Sequence, residues 1–322
     1  MRTDTRMSGG FHPVTNEAVV EAIAEITPWI IALLLVPLTH LGSVLVIVPA
    51  LGVAYLWRPR TVAPWLGAVA GYYGVMAGIK SLNSATRPDV APPIGPEAYP
   101  ELFSWWYTHA TSISTTSFPS GNVMLATIIA GLITLDLKAG SLRQRAMVTG
   151  TLVFAVAYSR IALGVHYPID VIAGVALGVG FLAVFVLVRD SSRDPVASVF
   201  ALGAICALFA IWVSNGTFSA PPVESLTGSN RPIAFGGALG GLVGWKLTQR
   251  YAGRLRRQTA AVVTVTLVLI AVGAYLGHSE PSTPLLTTVR AGILTVAIVS
   301  LPWFFPNRVR SDEPAPSPTA AD

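Results

Sequence analysis

Three short polar clusters interrupt an otherwise apolar chain, and their residue types are those that handle phosphate. They occupy residues 80–88, 118–122 and 159–170. Each places an ionisable group, or a turn with free backbone N–H groups, where an apolar segment begins or ends. A charge at membrane depth is costly, so an ionisable residue there is a functional candidate by default. Three such clusters together predict one reactive site.

The third cluster contains a candidate nucleophile. His166 and Asp170 are four residues apart, and Pro168 between them is tolerated in the first turn of a helix. A carboxylate beside an imidazole accepts one ring N–H, which fixes the tautomer and leaves the other nitrogen free to attack. Arg160 adds bidentate donors for an oxyanion. This spacing predicts an oriented histidine that faces an anion.

The first and second clusters contain anion-binding groups. Ser120 can cap the helix that follows it, and Gly121 lets the backbone approach a ligand closely. Lys80 at a helix end and Arg87 after it are two further cations. With a nucleophilic histidine, these groups fit in-line attack on a phosphoryl group. The sequence has no carboxylate cluster that indicates a catalytic metal, so we expect neither a metal nor a cofactor.

The clusters resemble the motifs of a known family. The pattern Lys-x6-Arg-Pro, then Pro-Ser-Gly-His, then Ser-Arg-x5-His-x3-Asp marks the type 2 phosphatidic acid phosphatase superfamily, which includes lipid phosphate phosphatases and undecaprenyl-diphosphate phosphatases. The matching residues are Lys80, Arg87 and Pro88 in the first motif, and Ser159, Arg160, His166 and Asp170 in the third. The resemblance covers roughly residues 60–190. It implies that His166 forms a phosphohistidine and that Asp170 orients it. The phosphate-binding residues that it implies are Lys80, Arg87, Ser120, Gly121 and Arg160.

The second motif departs from the family pattern at one position. It reads Pro-Ser-Gly-Asn, so Asn122 stands where the family has a histidine that is taken to protonate the leaving group. Asparagine donates hydrogen bonds but transfers no proton, and general acid catalysis is worth about 10²–10⁴-fold. A phosphate monoester, whose second pKa is about 6, leaves without that help. We therefore hypothesise that diphosphate substrates, such as polyprenyl diphosphates, are favoured over monophosphates.

Two other interpretations of this departure remain open. Asn122 could mark a pseudoenzyme that binds phosphorylated ligands without turnover. Alternatively, His109, in the loop that holds Trp105, Trp106 and Tyr107, could supply the missing proton. The same loop could instead be an interfacial lid, since Trp and Tyr favour headgroup depth.

Composition indicates the class of protein. The 322 residues are 52% hydrophobic and 11% charged, with a mean hydropathy of +0.61, whereas soluble domains carry about 25% charged residues. The chain is therefore predicted to be a polytopic membrane protein, and the family resemblance implies a phosphorylated lipid as its partner. Nucleic acid is not expected, because the basic residues lie in short loops between apolar segments. The single cysteine, Cys206, excludes a disulfide framework within one chain.

The predicted fold class is all-α, a polytopic transmembrane helical bundle of about ten spans with a six-helix phosphatase core. The predicted spans are 26–39, 43–57, 63–82, 121–136, 146–163, 168–188, 196–213, 232–248, 259–277 and 285–305. The first two are short, and a re-entrant hairpin over 26–57 is the alternative. Glu17, Glu21 and Glu25 recur at four-residue spacing and predict an amphipathic helix before the first span.

Loop charges give an orientation. With ten spans, one side carries 16 basic residues and the other carries 5, which include Lys80, Arg87 and Arg160. The positive-inside rule then places both termini in the cytoplasm and the three clusters on the extracytoplasmic face of the cell membrane.

The predicted domains are a tail and amphipathic lead-in over 1–25, a phosphatase core over 26–190, an extension of about four spans over 191–307, and a disordered tail over 308–322. Glycines at four-residue spacing, Gly174 and Gly178 and then Gly236, Gly240 and Gly244, predict close helix packing within the chain. A homo-oligomeric contact is the alternative.

These observations predict an integral-membrane phosphatase of the metal-independent acid-phosphatase type. It would hydrolyse a lipid-linked phosphate or diphosphate through a phosphohistidine. An alcohol in place of water would make it a lipid phosphotransferase. A binder or transporter of phosphorylated lipid is a rival of another class, but the last four spans show no inverted repeat of the first six.

Overall fold

The computed structural model describes residues 16–113, 115–214, 230–251 and 284–300. These residues form eleven α-helices and two short 3-10 turns, with no strand among them, so the predicted all-α class is confirmed. In chain order the helices are α1 Glu17–Ile26, α2 Trp29–His40, α3 Val44–Trp57, α4 Pro59–Ser81, α5 Ser104–Thr111, α6 Gly121–Asp136, α7 Leu142–Ala162, α8 Pro168–Ser191, α9 Pro195–Ser214, α10 Asn230–Tyr251 and α11 Pro284–Ser300.

Three of these helices, α4, α8 and α9, are long and apolar enough to cross a membrane by themselves. The apolar helices α3, α6 and α11 are shorter, and α1 and α2 form a pair that bends by 118° at the break between them. The chain is therefore a membrane protein. The predicted ninth span, 259–277, and the two predicted tails, 1–15 and 308–322, lie outside the described residues. The predicted amphipathic helix before the first span is α1, whose N-cap is Asn16.

Contacts divide the described chain into two compact units. One contains residues 16–46 and 78–182, and the other contains residues 47–77 and the described residues from 183 onward. All three polar clusters lie in the first unit, so the candidate site can be described within it. The assignment of 26–190 as a phosphatase core stays a prediction.

In the first unit, α6, α7 and α8 form a tightly packed group. Val123 and Ala126 of α6, Val156 of α7 and Val171 of α8 make one buried cluster. A Cβ atom at Gly174 of α8 would lie 2.7 Å from the carbonyl oxygen of Ser120, so the two helices are too close for any other residue there. Gly178 is equally close to Thr127 of α6. The predicted close packing is confirmed for this pair of glycines.

In the second unit, α10 packs on α11 through its glycine face. Cβ atoms at Gly236 and Gly240 would lie 2.1 Å and 2.2 Å from the carbonyl oxygens of Thr288 and Gly292. The glycines therefore serve contacts within the chain, as predicted for a small-residue helix face.

Candidate active site

The turn between α7 and α8 places the candidate nucleophile. The N–H of Val165 bonds the carbonyl of Arg160, and the N–H of Gly164 bonds that of Ile161, which is the Schellman pattern that ends a helix. This pattern needs a left-handed residue, and Gly164 has φ +69°. A Cβ there would also lie 2.3 Å from the carbonyl oxygen of Val90. The chain therefore turns sharply after α7 and directs the next residues into the protein.

His166 and Asp170 form a buried pair after this turn. The side chain of His166 is 3% exposed and that of Asp170 is 0% exposed. His166 Nδ1 lies 3.2 Å from Asp170 Oδ2, which also accepts the Tyr167 N–H at 2.9 Å. Because Asp170 is the third residue of α8, its carboxylate bonds the N–H that precedes the helix, as in half of a capping box. Ser117 Oγ donates to the same Oδ2 atom.

Arg87 indicates which tautomer His166 adopts. Arg87 Nη1 lies 3.3 Å from His166 Nε2 and donates to the Val165 carbonyl at 2.6 Å. A guanidinium can only donate, so Nε2 must be the accepting, unprotonated nitrogen in this contact. The ring proton then lies on Nδ1, where it can be donated to Asp170. The pair thus holds the lone pair of Nε2 toward the cationic side of the site.

Lys80 and Arg87 converge on the segment that precedes α6. Lys80 Nζ and Arg87 Nη2 both donate to the carbonyl oxygen of Thr116, the second at 3.2 Å. Arg87 Nε donates to the Thr115 carbonyl at 3.0 Å. Two cations that share one acceptor lie close together, which is the arrangement that a phosphate with several oxygens can bind.

The surroundings of His166 keep it neutral. Burial lowers the pKa of His166 well below 6.5, and the positive charges of Arg160, Arg87 and Lys80 lower it further. Burial also lowers the pKa of Arg87, to about 10, which leaves this side chain charged at neutral pH. The site therefore combines a neutral imidazole with a cationic environment, which suits nucleophilic attack on an anion.

Ser120 occupies the N-cap position of α6 but does not cap it through its side chain. The predicted position of Ser120 at the start of this helix is therefore confirmed, but the predicted capping hydrogen bond from its side chain is not formed. The Ser120 N–H bonds the Asp170 carbonyl at 2.9 Å, which holds the start of α6 against the start of α8. Ser120 Oγ is buried and has no hydrogen-bond partner among the described residues. With Gly121 as the first helical residue, this end of α6 has a hydroxyl and backbone N–H groups of the kind that can bind an anion.

Arg160 and Asn122 lie together on a neighbouring polar cavity. Arg160 Nη1 donates to Thr39 Oγ1 at 2.9 Å, and Asn122 Nδ2 donates to the Thr39 carbonyl at 3.1 Å. Both side chains line a cavity of about 280 Å³, whose other polar lining residues include His40 and His109. Arg160 thus bonds the end of α2, and its positive charge lowers the pKa of His166.

Sequence reasoning missed several residues that build the site. Ser117 and Thr39 carry no motif and are polar residues among many in their segments. His40 precedes a turn and gives no spacing signal. Gly164 did carry a usable signal, since a glycine just after a helical segment marks a left-handed cap.

Comparison with known proteins agrees with the motifs. Residues 61–194 match the model of the PAP2 superfamily. The resemblance inferred from the three motifs is thus confirmed, and it extends over residues 61–194.

Among solved structures, the chain is similar to the crystal structure of a transmembrane PAP2-type phosphatidylglycerolphosphate phosphatase from Bacillus subtilis. The identity is 24%, the TM-score is 0.42, and the match covers 55% of this chain and 86% of the other. No curated protein matches the chain by sequence.

Proposed function

We propose that this protein is an integral-membrane phosphatase that hydrolyses a lipid-linked phosphate or diphosphate, with its site on the extracytoplasmic face. The observation that carries the proposal is the environment of His166. Its unprotonated Nε2 faces Arg87 at 3.3 Å, while its Nδ1 is held by Asp170 at 3.2 Å. A site that merely binds phosphate needs cations but no oriented nucleophile.

In the first step, His166 Nε2 attacks the phosphorus atom of the bound lipid. A P–N bond forms while the P–O bond to the leaving group breaks, and the electron pair of that bond stays on the leaving oxygen. The ring becomes positively charged, and Asp170 stabilises it through the Nδ1 proton. Lys80 and Arg87 stabilise the charge on the equatorial phosphoryl oxygens, with the buried Ser120 hydroxyl as a further donor.

In the second step, water attacks the phosphohistidine. The P–N bond breaks, its electron pair returns to Nε2, and the oxygen and both protons of the water leave in inorganic phosphate, which exchanges protons with the solvent. An alcohol in place of water would give the transferase reaction instead. The two outcomes differ in product, so the assay below distinguishes them.

The leaving group that suits this site is a phosphate rather than an alkoxide. Asn122 lines the polar cavity and is hydrogen-bonded to Thr39, so its amide can position a leaving oxygen but cannot protonate it. Loss of a general acid costs about 10²–10⁴-fold where a proton is needed and little where it is not. A polyprenyl diphosphate is therefore the favoured substrate. If phosphatidic acid turns over equally well or faster, this preference is wrong.

The test measures phosphate release by the purified protein from a polyprenyl diphosphate and from phosphatidic acid in detergent micelles. We expect release from the diphosphate, and we expect His166→Ala to abolish it while leaving the thermal unfolding temperature close to that of the wild type. Addition of a long-chain alcohol with detection of a new phospholipid would reveal transfer. Binding of the diphosphate with no release of phosphate would instead identify a pseudoenzyme or a lipid carrier.

A further inference from the structure

The helices α1 and α2 both end against elements that surround the candidate site. At the start of α1, Glu17 Oε1 accepts a hydrogen bond from the hydroxyl of Tyr167, the residue after the nucleophile, at 3.2 Å. At the end of α2, Thr39 and His40 contact Arg160 and the Trp106 carbonyl, at 2.9 Å and 3.0 Å. We call α1 and α2 together, residues 17–40, the N-terminal helix pair. Both of its ends therefore lie on the same face of the protein.

The middle of the N-terminal helix pair also lies near that face. Tyr99, in the loop before α5, donates to the carbonyls of Ala32 and Leu33 at 3.3 Å and 3.2 Å. The side chain of Thr27, between the two helices, bonds the hydroxyl of Tyr158 at 2.7 Å. Tyr158 is four residues from the last residue of α7, which is about 6 Å along the helix axis. Neither α1 nor α2 therefore extends toward the membrane side opposite the candidate site.

Neither α1 nor α2 is long enough to span the membrane by itself. At 1.5 Å per residue, α1 with 10 residues and α2 with 12 are about 15 Å and 18 Å long, whereas the hydrocarbon core is about 30 Å thick. A bend of 118° prevents the two from adding their lengths.

At the bend, large apolar side chains are mostly exposed in the part of the chain that the structure describes. Ile26, Trp29 and Ile30 are 73%, 67% and 62% exposed. They continue an apolar surface of α7, where Phe154 is 70% exposed and stacks on Tyr158, the residue that Thr27 contacts. Because residues 146–163 of α7 are predicted to span the membrane, we expect that surface to meet lipid. Tryptophan is typical of the headgroup region, and an interfacial helix buries its apolar face about 5–10 Å deep.

We propose that residues 17–40 form an interfacial anchor inserted into the leaflet next to the candidate site, and that its partner is the lipid surface. The N-terminus then lies on the same side of the membrane as His166. The sequence-based prediction is the opposite side, because it assigns 26–39 as a span. Moving Arg2 and Arg6 changes the distribution of basic residues from 16 and 5 to 14 and 7, which leaves the orientation of the later spans as predicted.

Cysteine labelling tests the side of the N-terminus. Single cysteines are introduced in a Cys206→Ala background. Asn16→Cys reports on the N-terminus, and Asp89→Cys, next to Arg87 and Pro88, reports on the side of the candidate site. Ala139→Cys lies in the exposed loop at the opposite end of α6 and α7. Sealed vesicles are treated with a membrane-impermeant maleimide, before and after permeabilisation. We expect position 16 to be labelled together with position 89, and position 139 to be labelled only in the opposite compartment. Labelling of position 16 together with position 139 would overturn the proposal.

A second reporter guards against misfolding and tests insertion. Glu21→Cys, on the exposed polar face of α1, should label like position 16. A spin label at Trp29→Cys in vesicles of anionic phospholipid should collide more with dissolved oxygen than with an aqueous relaxing agent, and a label at position 21 should show the reverse. Equal exposure of both labels to water would refute the anchor. Neither measurement depends on turnover, so failure of the proposed phosphatase activity would not affect the result.

Discussion

Ser117 offers the sharpest test of how the candidate nucleophile is oriented. Its side chain is fully buried, and its hydroxyl donates to the same carboxylate oxygen of Asp170 that lies 3.2 Å from His166 Nδ1. The hydroxyl also lies 3.4 Å from Nδ1 itself. Ser117→Ala removes this donor and leaves the Tyr167 N–H as the other fixed bond to the carboxylate. Ser117 is therefore a positioning residue, which acts through Asp170.

The expected magnitude follows from that contact. A hydrogen bond to a charged group is worth about 1.5–3 kcal/mol, and 1.36 kcal/mol corresponds to a tenfold change in rate. Complete loss would thus lower kcat by about 10- to 160-fold. Because Asp170 keeps the Tyr167 N–H, we expect a value near the lower end, about 10- to 30-fold. KM should stay close to that of the wild type, since Ser117 is not proposed to touch the substrate.

The assay is steady-state phosphate release from a polyprenyl diphosphate, with Ser84→Ala as the matched control, because Ser84 is exposed in the same polar region. A double mutant with Asp170→Asn adds a test of mechanism. If Ser117 acts through Asp170, the two losses are strongly less than additive. A kcat within about twofold of the wild type, or fully additive losses, would refute the reasoning.

Three further changes test other parts of the site. Arg87→Gln removes a positive charge 3.3 Å from Nε2, so the pKa of His166 rises. Since the neutral ring attacks, the acidic limb of the kcat/KM profile should move to higher pH, and an unmoved limb would contradict this. Gly164→Ala forces a side chain into φ +69° and should cost about 1–3 kcal/mol of stability, seen as a lower Tm, whereas Gly150→Ala, with open space around it, should not destabilise. His109→Gln should leave diphosphate hydrolysis within about threefold, because a phosphate leaves without a proton; a 100-fold loss would assign the missing acid to His109.

The helical parts of the molecule were largely predictable because apolar runs of this length have few other solutions. Segments 63–82, 121–136 and 168–188 correspond to α4, α6 and α8, because membrane-length apolar runs favour helices. The region 26–57 was harder. Hydropathy marks it as apolar, but the 118° bend depends on contacts such as those of Thr27 and Tyr99, which are far away in sequence.

The candidate site was predictable to the extent that its chemistry resides in side chains with strong signals. The four-residue spacing of His166 and Asp170 predicts their contact, and the structure has it at 3.2 Å. Lys80 and Arg87 were predicted to share a site because both are cations that can bind phosphate, and not because their spacing required them to meet. Ser117 could not be predicted from the sequence, because many serine hydroxyls in the chain could donate a hydrogen bond and only the fold brings this one to Asp170.

The cations of the candidate site already donate hydrogen bonds to backbone carbonyls, and these bonds affect how strongly a phosphoryl group can bind. The Thr116 carbonyl accepts from both Lys80 and Arg87, and Arg87 also donates to the carbonyls of Thr115 and Val165. A phosphoryl group that binds these cations must compete with bonds already made, so only the difference between the two sets stabilises the complex. That difference grows as negative charge builds on the equatorial oxygens, while the carbonyls do not change. If these cations bind the substrate as proposed, the competing carbonyl bonds weaken binding of the substrate and of the transition state by the same amount. The preference for the transition state then comes from the growth of charge on the equatorial oxygens alone.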